Sequence, residues 1–145
     1  MSEKRDKEIA IVKNKEALQE ERIQALFQLM NIADTESLQT IITCLKEDPC
    51  EIVRHEAAFV LGETAAHEAI EVLKETALED NSGIVRHEAL LALGTIANKE
   101  IIPFLEEIQK SPVKLVSESA KIALQRINLD KEPYRGPKEF EYLRD

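Results

Sequence analysis

Apolar residues recur along most of this chain at spacings of three and four, the period of a helix with one buried face. From Ala17 to Ala33 the stripe runs through Leu18, Ala25, Leu29 and Ile32, with Leu26 and Phe27 beside it. It returns over 36–47 (Leu38, Ile41, Ile42, Leu45), 50–64, 68–79 (Ile70, Leu73, Ala77, Leu78), 84–97, 98–110 (Ile101, Ile102, Leu105, Ile108) and 113–128. The breaks are chemically marked. Asp34-Thr35 offers a side-chain cap for the helix that follows. Asp48-Pro49 and Ser111-Pro112 end helices, because a residue before proline is pushed out of the helical region, and Pro49 suits the opening of the next one. Ala66-His67 is a short break and Asn81-Ser82-Gly83 a turn. Asn98 caps the helix to about Lys110, with Pro103 near its first turn, where proline is tolerated. Residues 1–16 are highly charged, with one apolar patch at Ile9–Val12, and predict only a short or frayed helix.

The pattern also repeats at long range. Ile52-Val53-Arg54-His55-Glu56-Ala57-Ala58-Phe59-Val60-Leu61-Gly62 returns thirty-two residues later as Ile84-Val85-Arg86-His87-Glu88-Ala89-Leu90-Leu91-Ala92-Leu93-Gly94. A period of this length describes a stack of supersecondary units, none able to bury its apolar face alone. Four helix pairs are expected, the first weak, with second helices at about 17–33, 50–64, 84–97 and 113–128. Ala25, Ala57, Ala89 and Ala120 align, as do Leu29, Leu61, Leu93 and Leu124. The small residue permits close helix approach and the leucine fills the layer between units. The fold class is therefore all-α, an α-α superhelix over 1–128. A tail at 129–145 follows, in which Pro133, Gly136 and Pro137 prevent a regular helix; it reads as a linker or a docking arm.

Composition narrows the function classes. The formal charge of −9 over 145 residues, with four Phe, two Tyr and no Trp, argues against nucleic acid, which selects clustered Lys and Arg. No apolar run approaches a membrane span and no secretory signal is visible, so a cytoplasmic protein is expected. Cys44 and Cys50 have neither redox nor zinc spacing and read as reduced thiols. Asp48 precedes Arg54 by six residues, as Asp80 precedes Arg86, and such pairs suit a ladder of charge-assisted bonds between units. Gly62 and Gly94 suit close helix packing or a helix end.

The histidine–glutamate pairs carry the functional argument. They occur only in the two central units, at His55-Glu56 and His87-Glu88; the first unit has Ile23-Gln24 there and the last Glu118-Ser119. Equivalent helices in a stack lie about 8–10 Å apart, so one histidine from each can converge on a point between them. Adjacent side chains leave a helix about 100° apart, yet the long Glu88 carboxylate can reach a metal beside its neighbour. Two histidines and one carboxylate with open positions form the facial triad of non-haem iron(II) sites. Glu56 then remains as an outer-shell group or a contact for a cationic substrate. His67, in a break, reads as a surface residue.

The Asp-x-x-x-Val-Arg-x-x-Ala-x-x-x-Leu-Gly pattern resembles the HEAT-type repeats, particularly the bilin-lyase-like subclass, over residues 17–128. In that family the second helices line the concave surface. Val-Arg-His-Glu-Ala in the second and third of four repeats resembles one half, the N-terminal one, of deoxyhypusine hydroxylase. Residues 21–29 and Glu132-Pro133-Tyr134 share the likeness. That family is a HEAT-repeat di-iron monooxygenase acting on a lysine-derived side chain of a translation factor. The resemblance implies His55, His87 and Glu88 as iron ligands and Glu56 as a catalytic carboxylate on the substrate side. One chain supplies three ligands where the family uses six, so the expected cofactor is one iron per chain, or two in a homodimer. The expected partner is a protein on the concave face. The other readings are a non-catalytic interaction scaffold and, on the repeat subclass alone, a chromophore-handling protein.

Overall fold

The computed structural model describes residues 2–129. They form eight α-helices: α1 (Ser2–Lys13), α2 (Gln19–Ile32), α3 (Thr35–Glu47), α4 (Glu51–Thr64), α5 (Ile70–Glu79), α6 (Gly83–Ile96), α7 (Ile102–Ile108) and α8 (Lys114–Leu129). Consecutive helices pair as four units and the units stack into an α-α superhelix. Short 3-10 turns, His67–Ala69 and Lys99–Ile101, lead into α5 and α7. The expected tail lies almost wholly outside the described residues.

The expected breaks hold, with local differences. Asp34, not Thr35, caps α3, its carboxylate accepting from the Ser37 backbone N–H at 2.9 Å. Pro49 lies outside α4, whose cap is Cys50; proline's missing N–H is tolerated as well just before the cap as just after it. α1 is a full helix of 12 residues although only Val12 is buried. Its place comes from contacts a local pattern cannot show: Arg5 pairs with Asp34 at 3.0 Å, and Ile9 and Ile11 pack on the core. The second helices α2, α4 and α6 each stop at an alanine in the left-handed region, Ala33, Ala65 and Ala97, with φ of 50°, 54° and 57°. Helices commonly end this way, usually with glycine.

One core runs the length of the stack. Ala25, Leu29, Ala57, Leu61, Ala89, Leu93 and Ala120 are all at most 1% exposed. Leu124 is only partly covered, since no described unit follows it. The second helices pack closely on one another, α4 on α6 and α6 on α8 most extensively, whereas the first helices α3 and α5 barely meet. Gly62 and Gly94 make that closeness possible. A Cβ on Gly62 would lie 2.9 Å from Ala92 Cα, and one on Gly94 would lie 2.7 Å from Ala123 Cα.

The charged ladder exists, but with shifted partners. Asp48 pairs with Arg22, at 2.9 and 3.2 Å through both oxygens, and Asp80 with Arg54, at 3.0 and 3.1 Å. Arg54 reaches Asp48 only at its carbonyl oxygen, at 3.0 Å, and Arg86 donates to the Ala77 carbonyl at 2.9 Å. Arg22 and Arg54 each sit one turn into their second helix and reach sideways to the connection of the following unit. Sequence distance within a unit is therefore a poor guide to the partner. The Arg22–Asp48 rung is almost dry, its side chains 5% and 2% exposed. In the Arg54–Asp80 rung the hydrogen bonds that the arginine donates to Asp80 raise its pKa above the ordinary value, against the opposing effect of burial.

Candidate functional site

The two histidines stand one turn beyond the N-terminal ends of α4 and α6, each directly after a ladder arginine. Because residues three and four apart share a helix face, Ile52 and Phe59 flank His55, and Ile84 and Leu91 flank His87. Ile52 and Ile84 are 38% and 44% exposed, and Phe59 lies against Phe27 of α2, ring centres 6.2 Å apart. The polar row is thus bordered by half-open apolar side chains on the layer of second helices.

Three of the four expected site residues come together. His55 Nε2 lies 3.0 Å from Glu88 Oε1, across the joint between α4 and α6. His55 Nδ1 lies 3.7 Å from Glu56 Oε1, too far for a hydrogen bond. Side-chain exposures of 29% for His55, 26% for Glu56 and 14% for Glu88 leave the group open on one side. Glu56 makes no hydrogen bond among the described residues. The equivalent of a histidine in the preceding unit is Ile23, which has no polar atom to offer it.

Like His55, His87 turns toward the unit that follows, and so it points away from the His55–Glu88 joint. Its Nδ1 lies 2.6 Å from Ser119 Oγ of α8. Ser119 stands in the position that holds Glu56 and Glu88 in the central units, so the two contacts are equivalent: each histidine meets the residue before the aligned alanine of the next unit. Ser119 Oγ also lies 2.6 Å from the Leu115 carbonyl, to which it donates its only proton. It must therefore accept from His87, which puts the ring proton on Nδ1 and leaves the Nε2 lone pair free. Ser119 is 1% exposed and was not read from the sequence as functional. Its replacement of a repeated glutamate was the available signal.

Among the described residues no three ligating side chains are already gathered as a metal centre. The donor set nonetheless fits iron(II) in chemistry: two imidazole nitrogens and a carboxylate, with an outer-shell hydrogen bond fixing one ring. The cysteines do not join it. Cys44 is buried beside Asp48, and burial pushes its thiol up to about 12. Cys50 Sγ contacts Gln19. His67 is 68% exposed in its side chain, beside Glu100.

A family profile described as HEAT repeats matches residues 9–94. The chain belongs to the HEAT-repeat family. A second profile, the PBS lyase HEAT-like repeat, matches residues 85–111 of this HEAT-repeat chain. Among solved structures, human deoxyhypusine hydroxylase in complex with glycerol matches with a TM-score of 0.84 and 27% identity, over 93% of this chain and 48% of that one. The chain thus spans about half the length of that enzyme. No curated protein matches it in sequence. Among the described residues no helix is long and apolar enough to cross a membrane.

Proposed function

We propose that this HEAT-repeat chain is a non-haem iron monooxygenase resembling half of deoxyhypusine hydroxylase, which hydroxylates a lysine-derived side chain on a protein. The observation that carries the reading is the meeting of His55 and Glu88 across adjacent repeats at 3.0 Å. Residues His55, His87 and Glu88 would hold the iron. Iron in such a setting supplies the activation of dioxygen. The protein's own groups do the rest. Ser119 keeps a proton on His87 Nδ1 so that the Nε2 lone pair is available. Glu56 presents an unpaired carboxylate at the open side and holds an ammonium group of the substrate. The apolar side chains at 52, 59, 84 and 91 cover the stem of that side chain and exclude water. Two copies opposing these faces about a two-fold axis would supply a second set of three ligands, because an isologous interface presents the same patch twice.

Iron content and molecular size, measured on one sample, test the reading. Protein loaded with iron(II) under anaerobic conditions should retain about one iron per chain, elute as a dimer, and lose the metal in His87→Ala and Glu88→Ala. Folded protein that takes up no iron would leave the second reading, an interaction scaffold using the same face. The 3.0 Å contact between His55 and Glu88 is compatible with that scaffold, since it joins two repeats without any metal.

A further inference from the structure

The ladder of arginines and aspartates stops one rung short, and the place where it stops is a serine. In both complete rungs the arginine is the fourth residue of its second helix, and the aspartate lies two residues before the cap of the next second helix. Each aspartate also closes its own turn: Asp48 Oδ1 accepts from the Cys50 N–H and Asp80 Oδ1 from the Ser82 N–H, both at 2.9 Å. Arg86 is the fourth residue of α6. Two residues before Val113, whose carbonyl accepts the first bond of α8, stands Ser111. Its Oγ accepts from the Val113 N–H at 3.1 Å, the same two-residue turn. Ser111 is therefore the third acid position without its acid. Arg86 accordingly has no carboxylate among the described residues and donates only to the Ala77 carbonyl.

We propose that Ser111 is a phosphorylation site and that its phosphate forms the missing rung with Arg86. Ser111 is half-buried in a connection whose neighbours Lys110, Pro112, Val113 and Lys114 are exposed. It is followed by proline, the only Ser-Pro or Thr-Pro pair in the chain, which suits a proline-directed protein kinase. The γ-phosphoryl group of a nucleoside triphosphate passes to Ser111 Oγ as its bond to the bridging oxygen breaks. The hydroxyl proton goes to a base of the kinase, and the nucleoside diphosphate leaves. A phosphoserine opposite an arginine gains charge-assisted, fork-like hydrogen bonds. The first turns of α6 and α8 already meet, since a Cβ on Gly83 would lie 3.2 Å from Leu115 Cδ2. The modification fixes α8 against α6 at the joint where His87 meets Ser119, so it acts on the candidate site without touching it.

The test treats the full chain with a proline-directed kinase and ATP, locates the phosphate by mass spectrometry and compares thermal unfolding. Phosphate is expected at Ser111, with a Tm higher by about 3 °C or more. Ser111→Asp should give a similar rise without any kinase. The rise should vanish in Arg86→Gln and shrink in Arg86→Lys, which keeps the charge and loses the fork. Failure of the kinase to modify Ser111 overturns the assignment, as does a Tm gain that survives in Arg86→Gln or a phosphorylated chain no more stable than the unmodified one. None of these outcomes depends on whether iron binds.

Discussion

α4 and α6 carry nearly the same eleven residues, yet they hold their histidines differently. His55 of α4 meets a carboxylate of the next helix, while His87 of α6 meets a hydroxyl. Their arginines differ in the same way: Arg54 is forked by Asp80, and Arg86 is left with a backbone carbonyl. The copies are alike in what they present and unlike in what they receive, because each unit's partners belong to the unit that follows. In a stacked protein the environment of a repeat is written in its neighbour's sequence, so identical repeats become a site only through their order.

The sharpest way to break the comparison is at the acid that a unit receives. Asp48→Ala strands Arg22 in an almost dry position and should cost about 3–5 kcal/mol in denaturant unfolding. Asp80→Ala, at a rung whose side chains are 12% and 10% exposed, should cost less. Equal losses at the two rungs would mean that burial does not rank them. Next come the glycines that set the helix spacing. Gly94→Ala should destabilise by about 1–3 kcal/mol, and Gly62→Ala by somewhat less, because its Cβ would meet Ala92 Cα at 2.9 rather than 2.7 Å. Thermal melts of both variants check the order. Ser119→Ala removes what His87 receives and leaves what His55 receives intact. On the proposed function it should weaken iron(II) binding roughly 10-fold or more, with Ser119→Thr retaining most of the affinity; titration under anaerobic conditions reads both. The smallest effect tests where the copies should agree. Ala65→Gly and Ala97→Gly relieve left-handed alanines with nearly the same φ, and each should stabilise by about 0.5–1 kcal/mol. A clear difference between those two would show that the ends of α4 and α6 are not equivalent.

Much of this was legible in the residues. The repeated stretch, the aligned alanines and leucines and the proline and asparagine breaks marked all the helices except α1. That helix was underestimated because charge dominates its local pattern and its anchor, Asp34, lies 29 residues away. The placement of the candidate site's residues was legible in part. His55, Glu56 and Glu88 were singled out by repetition and do lie together. The ladder was read with the wrong partners, because six residues of separation looks local while the bond runs to the next unit. Ser119 was passed over because its one signal, a serine where the central units repeat a glutamate, gains meaning only once its neighbour is known to be a histidine.

By itself the sequence determined the helices, their pairing and the period of the stack, since each follows from the spacing of apolar residues and the chemistry of the breaks within a few turns of chain. Only the tertiary structure decided which polar groups meet, because the distances that matter are between equivalent positions of successive units. Arg22 finds Asp48, His55 finds Glu88 and His87 finds Ser119 through the close approach of neighbouring second helices, at separations of 26 to 33 residues. Hydrogen bonds act over about 3 Å, and nothing in a linear pattern says which of two identical histidines will have a carboxylate within that reach.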